Sequence, residues 1–159
     1  MKFAVVYYSF DGNTEFVADE IAKVLKADKF VIKTKNEISN TIMKYAWGGK
    51  QALMKKLPEI DDLNFNPENY NKIILASPVW AWTFSPAMRS FMQKHSLKNK
   101  EIALLLCHGG GPGKAMERWV TELEKGGNLI IAKKEMIDPL KNQPARSLLV
   151  ATGWAEDLM

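Results

Sequence analysis

Apolar positions along the chain fall into two alternating kinds of segment. Residues 3–8, Phe3-Ala4-Val5-Val6-Tyr7-Tyr8, form an unbroken apolar run rich in β-branched and aromatic side chains, the pattern of a buried strand. In the next segment Val17, Ile21, Val24 and Leu25 fall on one helical face. Runs at 29–34, 72–76, 101–107 and 128–133 read as four further strands. Pro86 opens a helix that carries Met88, Phe91 and Met92. A second helix holds Met116, Trp119, Val120 and Leu123 and stops at Gly126-Gly127. A closing helix is expected over 145–158, interrupted by Gly153. Residues 36–60 are less regular, with helical stretches expected at 42–47 and 50–57, split by Gly48-Gly49 and stopped by Pro58. Strands that are apolar throughout, alternating with helices, predict an α/β fold in three layers: a five-stranded parallel sheet covered on both faces. Right-handed crossovers favour strand order 2-1-3-4-5.

The bulk numbers fit this picture and narrow the function. A chain of 159 residues, 47% hydrophobic and 25% charged, suits one domain over 1–159 with a proper core. No apolar run approaches the ~20 residues of a membrane span, and Met1-Lys2 leads directly into the first strand, so a cytoplasmic protein without a signal peptide is expected. The single cysteine, Cys107, excludes an intramolecular disulfide; with only two histidines, a structural zinc site is not expected either. The net charge of +4 and pI of about 9.1 raise nucleic acid as a partner. The lysines are scattered, with pairs only at Lys55-Lys56 and Lys133-Lys134, which favours a solvated surface instead.

In open α/β sheets ligands bind beyond the carboxyl ends of strands, where strand order reverses. Three unusual loops are expected there. The first, Ser9-Phe10-Asp11-Gly12-Asn13-Thr14, links a strand to a helix N-terminus, whose free N–H groups and dipole favour an anion. Ser9, Asn13 and Thr14 add side-chain donors, and Gly12 lets the backbone turn. The same residues would also serve as ordinary helix caps. The loop matches neither G-x-x-x-x-G-K-[ST] nor G-x-G-x-x-G, and its hydroxyl-rich form suits a terminal phosphate monoester. The second loop offers Pro78, Val79, Trp80, Ala81 and Trp82, whose indoles suit either a flat heterocycle or packing at the sheet edge or a subunit interface. The third, Cys107 and His108 followed by Gly109, Gly110 and Gly111, offers close approach of backbone to a ligand or to another loop. Cys107 reads as a buried strand residue, and His108 as a loop hydrogen-bonding group or a proton donor. Trp47 is open between an interface and a ligand cover.

These loops resemble those of the flavodoxin family. The first is similar to its phosphate loop, [ST]-x-[ST]-G-N-T, with Asp11 in place of a hydroxyl residue at the third position. Ser77-Pro78-Val79-Trp80-Ala81-Trp82 and Cys107-His108-Gly109-Gly110-Gly111-Pro112-Gly113 look like the second and third loops of short family members, and Trp47-Gly48-Gly49-Lys50-Gln51 extends the likeness over nearly the whole chain. The resemblance implies a flavodoxin-like αβα sandwich, non-covalent FMN and electron transfer. It implies phosphate contacts at Ser9, Gly12, Asn13 and Thr14, a flavin ring lined by Pro78, Val79, Trp80 and Trp82, and a pyrimidine edge against residues 108–111. Asp11, a carboxylate facing a phosphate dianion, is expected to turn away and cap the helix. The partner would be a redox protein or a small-molecule acceptor, with an NAD(P)H-dependent, quinone-reductase-like oxidoreductase and a non-redox phosphate- or nucleic-acid-binding module as alternatives. The aromatic loops allow a dimer. Because the chain is basic, its second-electron potential is expected to be less negative than in acidic carriers. The lack of glycine from 77 to 84 suggests a weakly stabilised flavin radical.

Overall fold

A computed structural model describes residues 1–35 and 57–159. The helical stretches expected within 36–57, and Trp47 with them, lie outside the described residues except for Leu57. Five long strands form a parallel sheet: β1 (Phe3–Tyr7), β2 (Asp28–Val31), β3 (Lys72–Trp80), β5 (Glu101–His108) and β6 (Leu129–Ile137). Their order, β2-β1-β3-β5-β6, is the predicted one. A short strand not expected from the sequence, β4 (Thr83–Phe84), folds back antiparallel on β3 and pairs Val79 with Phe84 and Trp80 with Thr83.

The period-two alternation of strand side chains divides the core into two. Ala4 and Val6 of β1, Ile73 and Leu75 of β3, and Ile102 and Leu104 of β5 face α2 (Pro86–His95) and α3 (Ala115–Glu124), packing against Met88, Phe91, Trp119 and Leu123. Val5 and Tyr7, Ile74 and Ala76, and Ala103 and Leu105 face the other way. There they meet Val17, Ile21 and Leu25 of α1 (Asn13–Leu25), and Ala151 and Ala155 of α4 (Pro144–Glu156). Burial on both faces is why these strands read as continuous apolar runs.

Two sequence expectations are corrected here. α4 runs unbroken through Gly153, because the small residues Ala151 and Ala155 seat it in the same core as α1, and the contacts outweigh the ~1 kcal/mol helix cost of a glycine. β6 extends to Ile137, well past the apolar stretch; it is an edge strand, so Lys133, Lys134 and Glu135 can continue it with side chains toward water.

The expected cap of α2 is present. The Ser85 hydroxyl accepts from the Met88 N–H at 3.3 Å, with Pro86 in the first turn. The Ser77 hydroxyl donates to Ser85 Oγ and accepts from the Ser85 N–H, both at 2.9 Å, so the cap is fastened to the middle of β3. At the opposite end of the sheet Asn128 is the tie. Its amide donates to the carbonyls of Leu97 (3.0 Å) and Leu123 (2.8 Å), and its oxygen accepts from the Lys100 N–H (3.0 Å).

Candidate functional site

The carboxyl ends of β1, β3, β5 and β6 open onto one cleft of about 290 Å³, at the lower end of the usual range for ligand pockets. Phe10, Asp11 and Asn13 line it from the loop after β1, and Pro78, Val79 and Trp80 from the end of β3. Cys107, His108 and Gly109 line it from the end of β5, and Asp138 and Lys141 from the loop after β6. Nine of the residues singled out in the sequence thus share one cavity. Asp138 and Lys141 were missed, although Asp138-Pro139 follows a strand that ends at this same edge. The charged second half of β6 hid where that strand stops.

The first loop is organised by its own polar groups. Gly12, in the left-handed region with φ of 91°, precedes α1, and its missing Cβ leaves room for the Leu140 side chain. Ser9 Oγ accepts from the Glu15 N–H at 3.1 Å. Asn13 Oδ1 accepts from the Leu140 N–H at 2.9 Å, joining this loop to the one after β6. The Thr14 hydroxyl is buried beside the Cys107 thiol and makes no hydrogen bond of good geometry.

Asp11 departs from expectation. It caps α1, but from within the cleft. Its carboxylate accepts from the Asn13 N–H (3.2 Å) and the Asn13 side-chain amide (2.8 Å), and lies 3.3 Å from the Lys141 ammonium. Partial burial works to raise its pKa, but the hydrogen bonds from Asn13 and Lys141 outweigh it and hold the carboxyl below its ordinary value. An ionised carboxylate gains more from these donors inside the cleft than it would from facing outward.

The end of β3 forms an aromatic wall. The Trp80 ring meets Tyr8 (5.7 Å between centroids) and Phe10 (5.2 Å) edge to face. Ala81 and Trp82 are the two central residues of the β3–β4 hairpin, with φ of 47° and 60°. Such turns usually carry Asn-Gly, so this pair is held against its own preference. Part of the hold is visible: Arg118 donates to the Trp82 carbonyl at 3.2 Å, and the Trp82 side chain lies over Gly113, where a Cβ would come within 2.8 Å of the indole. Trp82 is 60% exposed and is not among the residues lining the cleft; nor are Ala81, Ser9, Gly12, Thr14, Gly110 or Gly111.

In the third loop His108 Nδ1 accepts from the Gly110 N–H at 3.1 Å, the loop bond considered from the sequence. A neutral imidazole therefore carries its proton on Nε2, which lies 3.9 Å from the Glu135 carboxylate. Gly110 and Gly111 have φ of 123° and 63° with open space beside them, so the backbone path, not crowding, calls for glycine. Cys107 is buried; desolvation pushes its thiol up to about 12, against a smaller opposing contact with Thr14. It is a neutral wall residue and not a nucleophile.

The family model described as "Flavodoxin" matches residues 2–147. The chain belongs to the flavodoxin family. Solved structures agree at the level of fold. A flavoprotein from Lactobacillus acidophilus in complex with FMN is 20% identical, covers 90% of this chain and 98% of its own, and superposes with a TM-score of 0.71. The two-electron reduced flavodoxin of Megasphaera elsdenii is 19% identical over 97% of this chain and 98% of its own, with a TM-score of 0.61. A flavodoxin, WrbA-like protein from Agrobacterium tumefaciens is 16% identical over 97% of this chain and 92% of its own, with a TM-score of 0.64. No curated protein matches the chain. Among the described residues no helix is long and apolar enough to cross a membrane, and no cluster of side chains could hold a metal ion.

Proposed function

We propose that this chain binds FMN in the cleft at the carboxyl ends of β1, β3, β5 and β6 and serves as an electron carrier of the flavodoxin type. The observation that carries the reading is the joining of two unlike surfaces in one place. The start of α1, with Asn13 on the cleft, meets an aromatic wall of Phe10 and Trp80. A flat ring joined to a phosphate monoester fits that combination, and the family supplies the specific molecule.

FMN, when bound, accepts and passes on electrons one or two at a time. The chain's part is to bind it and set its surroundings. Ser9, Gly12, Asn13 and Thr14 hold the phosphate through hydroxyl, amide and backbone donors. Phe10, Pro78, Val79 and Trp80 flank the ring and exclude water. His108, fixed by the Gly110 N–H, sets the path of the third loop and keeps a proton on Nε2. Cys107 stays protonated, so it adds no charge to the site. Trp82, exposed at the hairpin tip, is available for contact with a redox partner.

The test is FMN binding followed by anaerobic reduction, watched by absorbance with NADH, NADPH and dithionite in separate trials. A carrier is reduced promptly by dithionite and only slowly by either nucleotide. Rapid bleaching by NADH or NADPH, with turnover on a quinone, would replace the carrier reading with an FMN-dependent oxidoreductase. A protein that gains no flavin absorbance when FMN is added would be a non-redox binding module.

A further inference from the structure

The first-turn N–H groups of a helix are where an anion docks, and in α1 that of Glu15 already bonds the Ser9 hydroxyl while that of Asn13 bonds a carboxylate. Asp11 Oδ1 accepts from the Asn13 N–H at 3.2 Å, and Asp11 Oδ2 accepts from the Asn13 amide at 2.8 Å with Lys141 Nζ at 3.3 Å. A backbone N–H, an amide N–H and an ammonium group around one anion is the donor set that also recognises a phosphate oxygen. Lys141 comes from 130 residues away and is placed by the loop after β6, itself held to Asn13 through the Leu140 N–H.

We propose that the Asp11 carboxylate sits in an anion seat, and that a flavin phosphate displaces it and takes over the Asn13 N–H and Lys141. The inference rests on the FMN reading above. Two anions cannot share the seat, because like charges within hydrogen-bond distance repel. Asp11 is therefore a competitor for the phosphate, and Lys141 is a phosphate-binding residue supplied by the fourth loop. Together they set how strongly this chain distinguishes a phosphorylated flavin from an unphosphorylated one.

The experiment measures dissociation constants of FMN and riboflavin, by quenching of flavin fluorescence, for the full chain and for Asp11→Ser, Asp11→Asn and Lys141→Gln. Riboflavin needs the ring wall but no phosphate seat, so its binding also reports that each variant is folded. Both Asp11 variants are expected to tighten FMN by about tenfold and to leave riboflavin unchanged, as removal of one charged competitor implies. Lys141→Gln is expected to weaken FMN by about three- to tenfold, the lysine being largely exposed, with riboflavin again unchanged. Asp11 variants that bind FMN no tighter than the parent, or a Lys141 variant that changes both flavins alike, would overturn the inference while leaving the cofactor reading intact. A parent chain that binds neither flavin would overturn both.

Discussion

Trp80 and Cys107 are neighbours in the cleft wall with opposite characters. Trp80 is half-buried, anchored edge to face on Tyr8 and Phe10, and presents apolar surface to the cavity. Its replacement by alanine is expected to weaken FMN and riboflavin alike, by about 1–3 kcal/mol if a flavin stacks as a nucleic-acid base does. Titration of both flavins against Trp80→Ala checks this; an effect on FMN alone would assign the indole to the phosphate end. Cys107 is closed off. With its pKa raised from 9.0 to about 12 by burial, it stays a thiol where an unfolded chain forms thiolate. The folded state then holds more protons than the unfolded one, so this residue's contribution is complete below pH 9 and is lost as the pH rises toward 12. Thiol labelling at pH 8 should be negligible in the native protein and prompt in denaturant. Prompt labelling without denaturant would mean that the end of β5 opens readily.

Among the elements, the α3–β6 connection carries the clearest mechanical load. Asn128 is 6% exposed, and its three hydrogen bonds tie the end of α3 and the segments after α2 to the start of β6. Asn128→Ala would leave the Leu97 carbonyl and the Lys100 N–H without partners, while the Leu123 carbonyl keeps the Gly126 N–H. A loss of about 2–4 kcal/mol is expected, at roughly 1 kcal/mol or more for each abandoned group, and urea unfolding would read it as a lower midpoint with an unchanged slope. A loss below about 0.5 kcal/mol would place water at those groups. The β3–β4 hairpin is the other informative element. β3 was legible as far as Ala76 because its residues are uniformly apolar, but the next four residues read as loop, since a serine and a proline break the run. They stay in the strand because the Ser77 hydroxyl serves the α2 cap and β4 pairs with the far end.

At the scale of the molecule, the charge of +4 bears on the redox chemistry. Reduced FMN is anionic near neutral pH, and a surrounding excess of positive charge favours it. The second-electron potential of the FMN-loaded protein is therefore expected to be less negative than in acidic flavodoxins. A potentiometric titration over a range of salt concentrations checks this, and the difference should shrink as salt screens the surface charge. A couple as low as in the acidic carriers, at any salt, would sink the idea. The four loops that meet at the cleft come from distant parts of the chain, so the site exists only when the whole sheet is assembled.

The sequence by itself determined what depends on neighbours along the chain. The apolar runs defined parallel strands buried on both faces, the spacing in α1 defined its inner side, and Ser85-Pro86 began α2. Only the tertiary structure decided what depends on residues far apart. It closed the Ala81-Trp82 turn, which needs positive φ from two residues that do not prefer it and is held by Arg118 and by contact with Gly113. It extended β6 through charged residues that an edge position tolerates. It also turned Asp11 inward: viewed locally a carboxylate beside a phosphate loop is repulsive, and the lysine that makes its position favourable arrives from 130 residues away. Local pattern encodes burial and capping, while the partners of a charge are fixed only once the crossovers bring the strand ends together.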